Sequence, residues 1–165
     1  MNTSILPTYN RAPLAFERGE GSWLFTNNGD GYLDMGAGIA VNALGHSNSE
    51  LVDALTSQAN KLWHVSNIYE IPEQQRLAEL MVDTTFADNV FFTNSGTESC
   101  ELAVKMVRKF WYEKGQGERV EIITFEGSFH GRSSAGIAAG GSEKRKGLVQ
   151  CSRASFIFLG PIMMP

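Results

Sequence analysis

With 42% hydrophobic and 19% charged residues, this chain of 165 residues has the make-up of a soluble globular protein of about one domain. A net charge of -4 offers no basic stripe to neutralise phosphates, so no nucleic-acid and no membrane partner is expected. No run is long enough to span a bilayer and no charged-then-apolar leader opens the chain, which points to a cytoplasmic protein. Cys100 and Cys151 supply neither a disulfide framework nor metal-ligand spacing, and Cys100 falls on an apolar helical stripe where a small buried hydrophobe is expected. Lys144-Arg145-Lys146 reads as a solvated loop.

The N-terminal quarter is strand-rich. Gly21–Phe25 and Tyr32–Asp34 flank Asn27-Asn28-Gly29-Asp30-Gly31, a cluster of turn formers that predicts a hairpin and lacks the spacing of a calcium loop. Gly36–Asn42 is a small-residue loop where backbone can approach a neighbour closely. Ser47-x-x-Glu50 predicts a capping box, followed by Leu51, Val52, Leu55, Ala59 and Leu62 on one helical face. Pro72 opens a second helix carrying Leu77, Leu80 and Met81. Asn89–Thr93 has the apolar make-up of a buried strand. Ser95-x-x-Glu98 caps the best-defined helix, with Cys100, Ala103, Val104, Val107 and Trp111 in period, cations Arg108, Lys109 and Lys114 towards its end, and Gly115 to close it. Val120–Phe125 is a second buried-type strand. A strand, a helix and a strand in succession indicate an α/β fold with a parallel sheet. From Ser152 onward no amphipathic period remains.

Two segments bear on chemistry. Ser95, Gly96 and Thr97 lie between a buried strand and a capped helix, where free backbone amides and the positive end of the dipole favour an anion. They serve equally as an N-cap and a turn. Phe129-His130-Gly131-Arg132 follows a strand end, where α/β folds build ligand sites. Phe129 and His130 suit a core aromatic and a loop histidine, or a ligand; Arg132 suits a substrate carboxylate, or a surface ion pair. His46, His64 and His130 lack metal-ligand spacing, and no metal is expected. No hydrolase triad can be argued from spacing.

Several segments occur together in one order: Glu17–Gly21, Tyr32-Leu33-Asp34, Gly38–His46, His64–Tyr69, Asn94–Glu98 and Phe129–Arg132. In this the chain resembles the N-terminal part of the class III pyridoxal-phosphate-dependent aminotransferases, most strongly those acting on N2-acetylornithine, over roughly Pro7 to Lys144. The resemblance implies an incomplete fold type I pyridoxal-phosphate transferase. Residues 1–50 would be the N-terminal segment of the small domain and 51–147 the start of the large, pyridoxal-phosphate-binding domain, with 148–165 an atypical tail. It implies transamination of N2-acetylornithine with 2-oxoglutarate in arginine synthesis, as a homodimer; ornithine, succinylornithine and 4-aminobutyrate aminotransferases share the motifs. Gly96 and Thr97 would hold the cofactor phosphate, Phe129 would stack on its ring and Arg132 would bind an amino-acid carboxylate. Asn42, Asn67, Ser95 and His130 would line the site.

The family's Schiff-base lysine, and the aspartate that pairs with the pyridine nitrogen, lie further downstream and neither is in this chain, so no catalytic residue is assigned. The truncated chain is expected to be inactive, and a non-catalytic remnant is the alternative reading. The tail suggests a cause. Ile162-Met163-Met164-Pro165 must be encoded ATH ATG ATG CCN, which in a two-base offset gives His, Asn or Tyr, then Asp, then Ala. The same offset across Phe156–Leu159 permits His-Leu-Pro. Both resemble the family's own continuation, so a frameshifted, prematurely terminated coding sequence is expected.

Overall fold

The computed structural model describes residues 4–140 and 156–159. It divides into two compact units, Met1–Pro72 and Glu73–Pro165. Lys144-Arg145-Lys146, Cys151 and most of the 148–165 tail lie outside the described residues.

The first unit is built on an antiparallel meander, β1 (Phe16–Glu20), β2 (Trp23–Thr26) and β3 (Gly31–Leu33), in that spatial order. The expected hairpin is β2–β3. Gly29 takes φ +89 in its turn, and Thr26 and Asp30 hydrogen-bond across the base, Thr26 N to Asp30 O at 3.0 Å. β1 was not legible from its pattern, FERGE, because three of its five residues are charged. It forms by pairing with β2 across a bulge between Phe16 and Arg18. Cross-strand aromatics then fasten the sheet: Phe16 meets Tyr32 edge-on at 5.5 Å, and the Arg18 guanidinium lies 3.7 Å from the Phe25 ring.

The small-residue loop after β3 becomes a single irregular turn, α1 (Ala37–Ala40), in which Ala37, Gly38, Ile39 and Ala40 all have positive φ. α2 (Ser49–Ala59) follows, and its cap differs from the expected Ser47–Glu50 box. Asn48 is the N-cap, with Oδ1 accepting from Leu51 N at 3.2 Å. Ser47 sits one residue outside at φ +54 and donates its hydroxyl to Gly19 O at 2.7 Å. Asn caps as well as Ser, so the extended backbone at position 48 decides the choice.

α3 (Pro72–Thr84) begins on Pro72 as expected. The strand expected at Asn89–Thr93 is absent: these residues are irregular, with no ladder partner among the described residues. A strand exists only through its neighbour, and apolar composition alone does not provide one. The second unit's main helix is α4 (Gly96–Glu113), ended by Lys114 and by Gly115 at φ +71. β4 (Ile122–Phe125) and the short α5 (Ser134–Ala139) come next, and β5 (Phe156–Leu159) pairs with β4 in parallel. Parallel pairing is therefore present, between β4 and a strand inside the tail rather than between β4 and Asn89–Thr93.

The apolar stripe of α4, β4, α5 and Phe156 line a half-open cavity of about 200 Å³. Cys100 lines it but is only half-buried, where its stripe position implied a buried side chain. The only buried hydrophobic side chains among the described residues are Ala139 and Phe156. Leu51, Leu55 and Leu80 are more than half exposed, so the apolar faces of α2 and α3 meet little of the described chain. No described helix is long and apolar enough to cross a membrane.

Candidate cofactor and substrate site

The site begins at the N-terminus of α4. Ser95, with extended φ and ψ, is the N-cap, and its Oγ accepts from Glu98 N at 3.3 Å. Glu98 completes the box by folding back one residue further than usual, its Oε2 accepting from Asn94 N at 2.7 Å. A second layer braces the turn: the Thr93 and Ser99 hydroxyls lie 2.6 Å apart, and Ser99 N donates to Ser95 O at 3.1 Å. The cap satisfies the Glu98 amide. The amides of Gly96 and Thr97 precede it and have no intrahelical acceptor. A Cβ added at Gly96 would meet nothing within 4 Å, so the space over this turn is open to an anion. An 18-residue helix adds the positive end of its dipole.

The Phe129–Arg132 segment reaches this turn through Gly131. Gly131 is buried at φ +106, and a Cβ built on it would lie 2.7 Å from Thr97 Oγ1 and 3.0 Å from Thr97 Cγ2. The two motifs are therefore in direct contact, Thr97 resting on the α-carbon of Gly131. Phe129 is 61% exposed and Arg132 is exposed, one on each side of the His130–Gly131 pair. His130 lines the apolar cavity beside α4 and α5, and its Nε2 and Thr124 Oγ1 are buried without a hydrogen-bond partner among the described residues.

Asn42 and Asn67 belong to the first unit. Asn67 lies in an exposed turn closed by Tyr69 N to Ser66 O at 3.0 Å. Asn42 ends a chain of polar contacts that sequence reasoning missed. Its Nδ2 lies 2.9 Å from His46 Nδ1, and His46 Nε2 lies 2.8 Å from Asp34 Oδ2. Donation by Asn42 makes Nδ1 the acceptor, which leaves the ring proton on Nε2, facing Asp34. The other Asp34 oxygen accepts from Gly36 N at 3.0 Å and Ala37 N at 2.9 Å. The His46 hydrogen bond foremost, then these amides, hold the Asp34 carboxyl below its ordinary pKa. Gly19 permits the arrangement, because a Cβ there would lie 2.6 Å from His46 Cβ.

A capped helix start with open amides, an adjoining aromatic and a guanidinium make a set suited to a phosphorylated, planar cofactor and a carboxylate substrate. The chain matches the aminotransferase class-III family model over residues 5–162 and belongs to that family. The match runs past Lys144, where the recognisable motifs end, and through β5. Among individual relatives, the acetylornithine aminotransferase of Rhodobacter capsulatus is 72% identical over 144 residues, 87% of this chain and 37% of that one. The Agrobacterium fabrum acetylornithine aminotransferase is 58% identical over 140 residues, covering 85% and 35%. Among solved structures, the N-acetylornithine aminotransferase of Stenotrophomonas maltophilia superposes with a TM-score of 0.72 at 34% identity, over 92% of this chain and 36% of that one. The ornithine aminotransferase of Toxoplasma gondii gives 0.88 at 21% identity, a likeness of fold alone, over 95% and 38%. The chain thus spans little more than a third of the length of these relatives, as a partial fold type I domain.

Proposed function

We propose that this segment, in a chain of its relatives' length, takes part in transamination of N2-acetylornithine with 2-oxoglutarate, in the cytoplasm and as a homodimer. The observation that carries the reading is the seating of Thr97 on Gly131, which joins the two motifs at the open start of α4. Pyridoxal 5'-phosphate, when bound, supplies an electron sink for charge developing at the substrate Cα. The open Gly96 and Thr97 amides would donate to its phosphate, and Ser95 fixes the turn that aims them. Phe129 would lie against the ring face, and the Arg132 fork would orient the substrate through a carboxylate. His130 would shape the floor of the site. No lysine here matches the family's cofactor-binding lysine, so the 165 residues alone are expected not to transaminate.

The test uses a family-length chain in which residues 1–140 replace the matching segment of the Rhodobacter capsulatus relative. It should transaminate N2-acetylornithine, and Arg132→Ala should cost about 2–4 kcal/mol in kcat/KM through loss of a charge-assisted contact. A kcat/KM within twofold of the parent would remove Arg132 from the site. A faster rate with ornithine or 4-aminobutyrate would reassign the donor.

A further inference from the structure

Gly131 sits where three pieces of the second unit converge. On one side is the Thr97 side chain, 2.7 Å from where a Cβ would be. Against the same turn lies the start of α5, whose Gly136 is also constrained: a Cβ there would collide with the carbonyl oxygen of His130 and lie 3.2 Å from Gly131 C. α5 is held in this place by its own cap, with Ser133 Oγ accepting from Gly136 N at 3.4 Å and Ile137 N donating to Ser133 O at 2.8 Å. The 130–132 turn thus packs against the starts of both α4 and α5.

A second left-handed glycine in the same loop supplies the contrast. Gly127 has φ +77, yet a Cβ on it would meet nothing within 4 Å. Backbone conformation explains a glycine at 127. At 131 conformation and close approach both require one.

We propose that Gly131 is a positioning residue for the anion-binding turn: its missing side chain lets Thr97 seat against the 130–132 turn, which fixes the Gly96 and Thr97 amides relative to Phe129 and Arg132. Thr97 thereby has two separable roles, its amide as a phosphate donor and its side chain as a spacer. The inference rests on Gly96–Thr97 being the phosphate cradle. An added methyl at 131 meets the Thr97 side chain, and with α5 packed against the same turn the expected response is a shift of the first turn of α4.

The experiment is equilibrium binding of pyridoxamine 5'-phosphate, followed by its fluorescence, to the family-length chain; its amine forms no imine with lysines. Pyridoxamine, lacking the phosphate, is the control. Gly131→Ala should weaken the phosphorylated ligand by on the order of tenfold or more, since small misplacements of binding groups are costly. Pyridoxamine should be affected about twofold or less, because only the phosphate contacts move. Gly127→Ala, which carries left-handed strain without the collision, should change either ligand by about twofold or less. Thr97→Gly keeps the amide and removes the spacer, so on that background Gly131→Ala should again cost about twofold or less. A parent that binds the two ligands equally would sink the cradle reading, and the positioning role with it. Phosphate-selective binding that Gly131→Ala leaves intact, or a tenfold loss that persists with Thr97→Gly, would overturn the positioning role alone.

Discussion

The two sheets of this chain contrast in how far each must look for its partners. In the first unit β1, β2 and β3 follow one another within Phe16–Leu33, and each finds its neighbour across a short turn. In the second unit β4 ends at Phe125 and, among the described residues, pairs only with β5, which starts at Phe156; Asn89–Thr93 has no described ladder partner at all. Antiparallel pairs close locally, whereas parallel pairs need a crossover and a sheet covered on both faces. A third of an α/β enzyme can therefore hold a complete meander and only the beginning of a parallel sheet. Ile123 and Phe125 of β4 are 63% and 59% exposed, on a strand whose composition suits burial.

The largest effect expected from this contrast is on cooperativity. Among the described residues only Ala139 and Phe156 are buried hydrophobic side chains. Ordering the backbone costs roughly 1–2 kcal/mol per residue, and so little burial does not offset it. Urea unfolding of the isolated 165 residues should therefore be broad, or the chain should aggregate. A sharp two-state transition in a soluble monomer, with a slope of about 1–3 kcal/mol/M, would break the comparison by showing that the second unit closes on itself.

A smaller effect is local to β4. Thr124 is 6% exposed and lines an apolar cavity, and its buried hydroxyl lacks a partner among the described residues. Replacing it with a methyl in Thr124→Val should stabilise β4–β5 by about 1 kcal/mol, seen as roughly fivefold slower amide exchange at Ile123–Phe125. The same substitution in the family-length chain sharpens the point. If continuation of the chain supplies the hydroxyl with a partner, the sign reverses there. Faster exchange in the 165-residue chain would mean that the hydroxyl is already paired.

What the sequence disclosed follows the same division. The β2–β3 hairpin was legible because Asn27–Gly31 is dense in turn formers, and α4 because its cap, apolar period and closing Gly115 agree. β1, α5 and β5 were not. The first is mostly charged, the second is six residues of Ser, Ala, Gly and Ile, and the third is defined only by its register with β4. The site divides likewise. Ser95, Gly96, Thr97, Phe129 and Arg132 stood out by residue type and order, but the seating of Thr97 on Gly131 depends on a positive φ that composition does not reveal. The Asp34–His46–Asn42 chain was missed because its members are separated by a left-handed turn at 37–40, and their spacing fits no local rule.

That chain supplies the finest test of whether the first unit is locally complete. Asp34 draws its partners from its own loop: His46 Nε2, Gly36 N and Ala37 N. All three favour the carboxylate, and its pKa is lowered from 3.8. For a carboxyl group whose folded pKa is depressed, the linked stability is fully present above the unfolded pKa and is lost as pH falls through the folded pKa. The contribution of the Asp34 carboxylate should thus be constant from neutral pH down to about 4 and be lost only below it. Followed by the carboxyl carbon shift of Asp34 in NMR, the isolated chain should titrate with a midpoint under 3.8. The Gly36 and Ala37 amide protons should move with the same midpoint, since both donate to that carboxylate. His46→Ala removes the largest cause and should raise the midpoint towards the ordinary value, while the two amides keep part of the shift. A midpoint at or above 3.8 would mean that the loop is not assembled without the rest of a longer chain. A lowered midpoint that His46→Ala leaves in place would assign the effect to the backbone turn, and the histidine would then be a passenger on it.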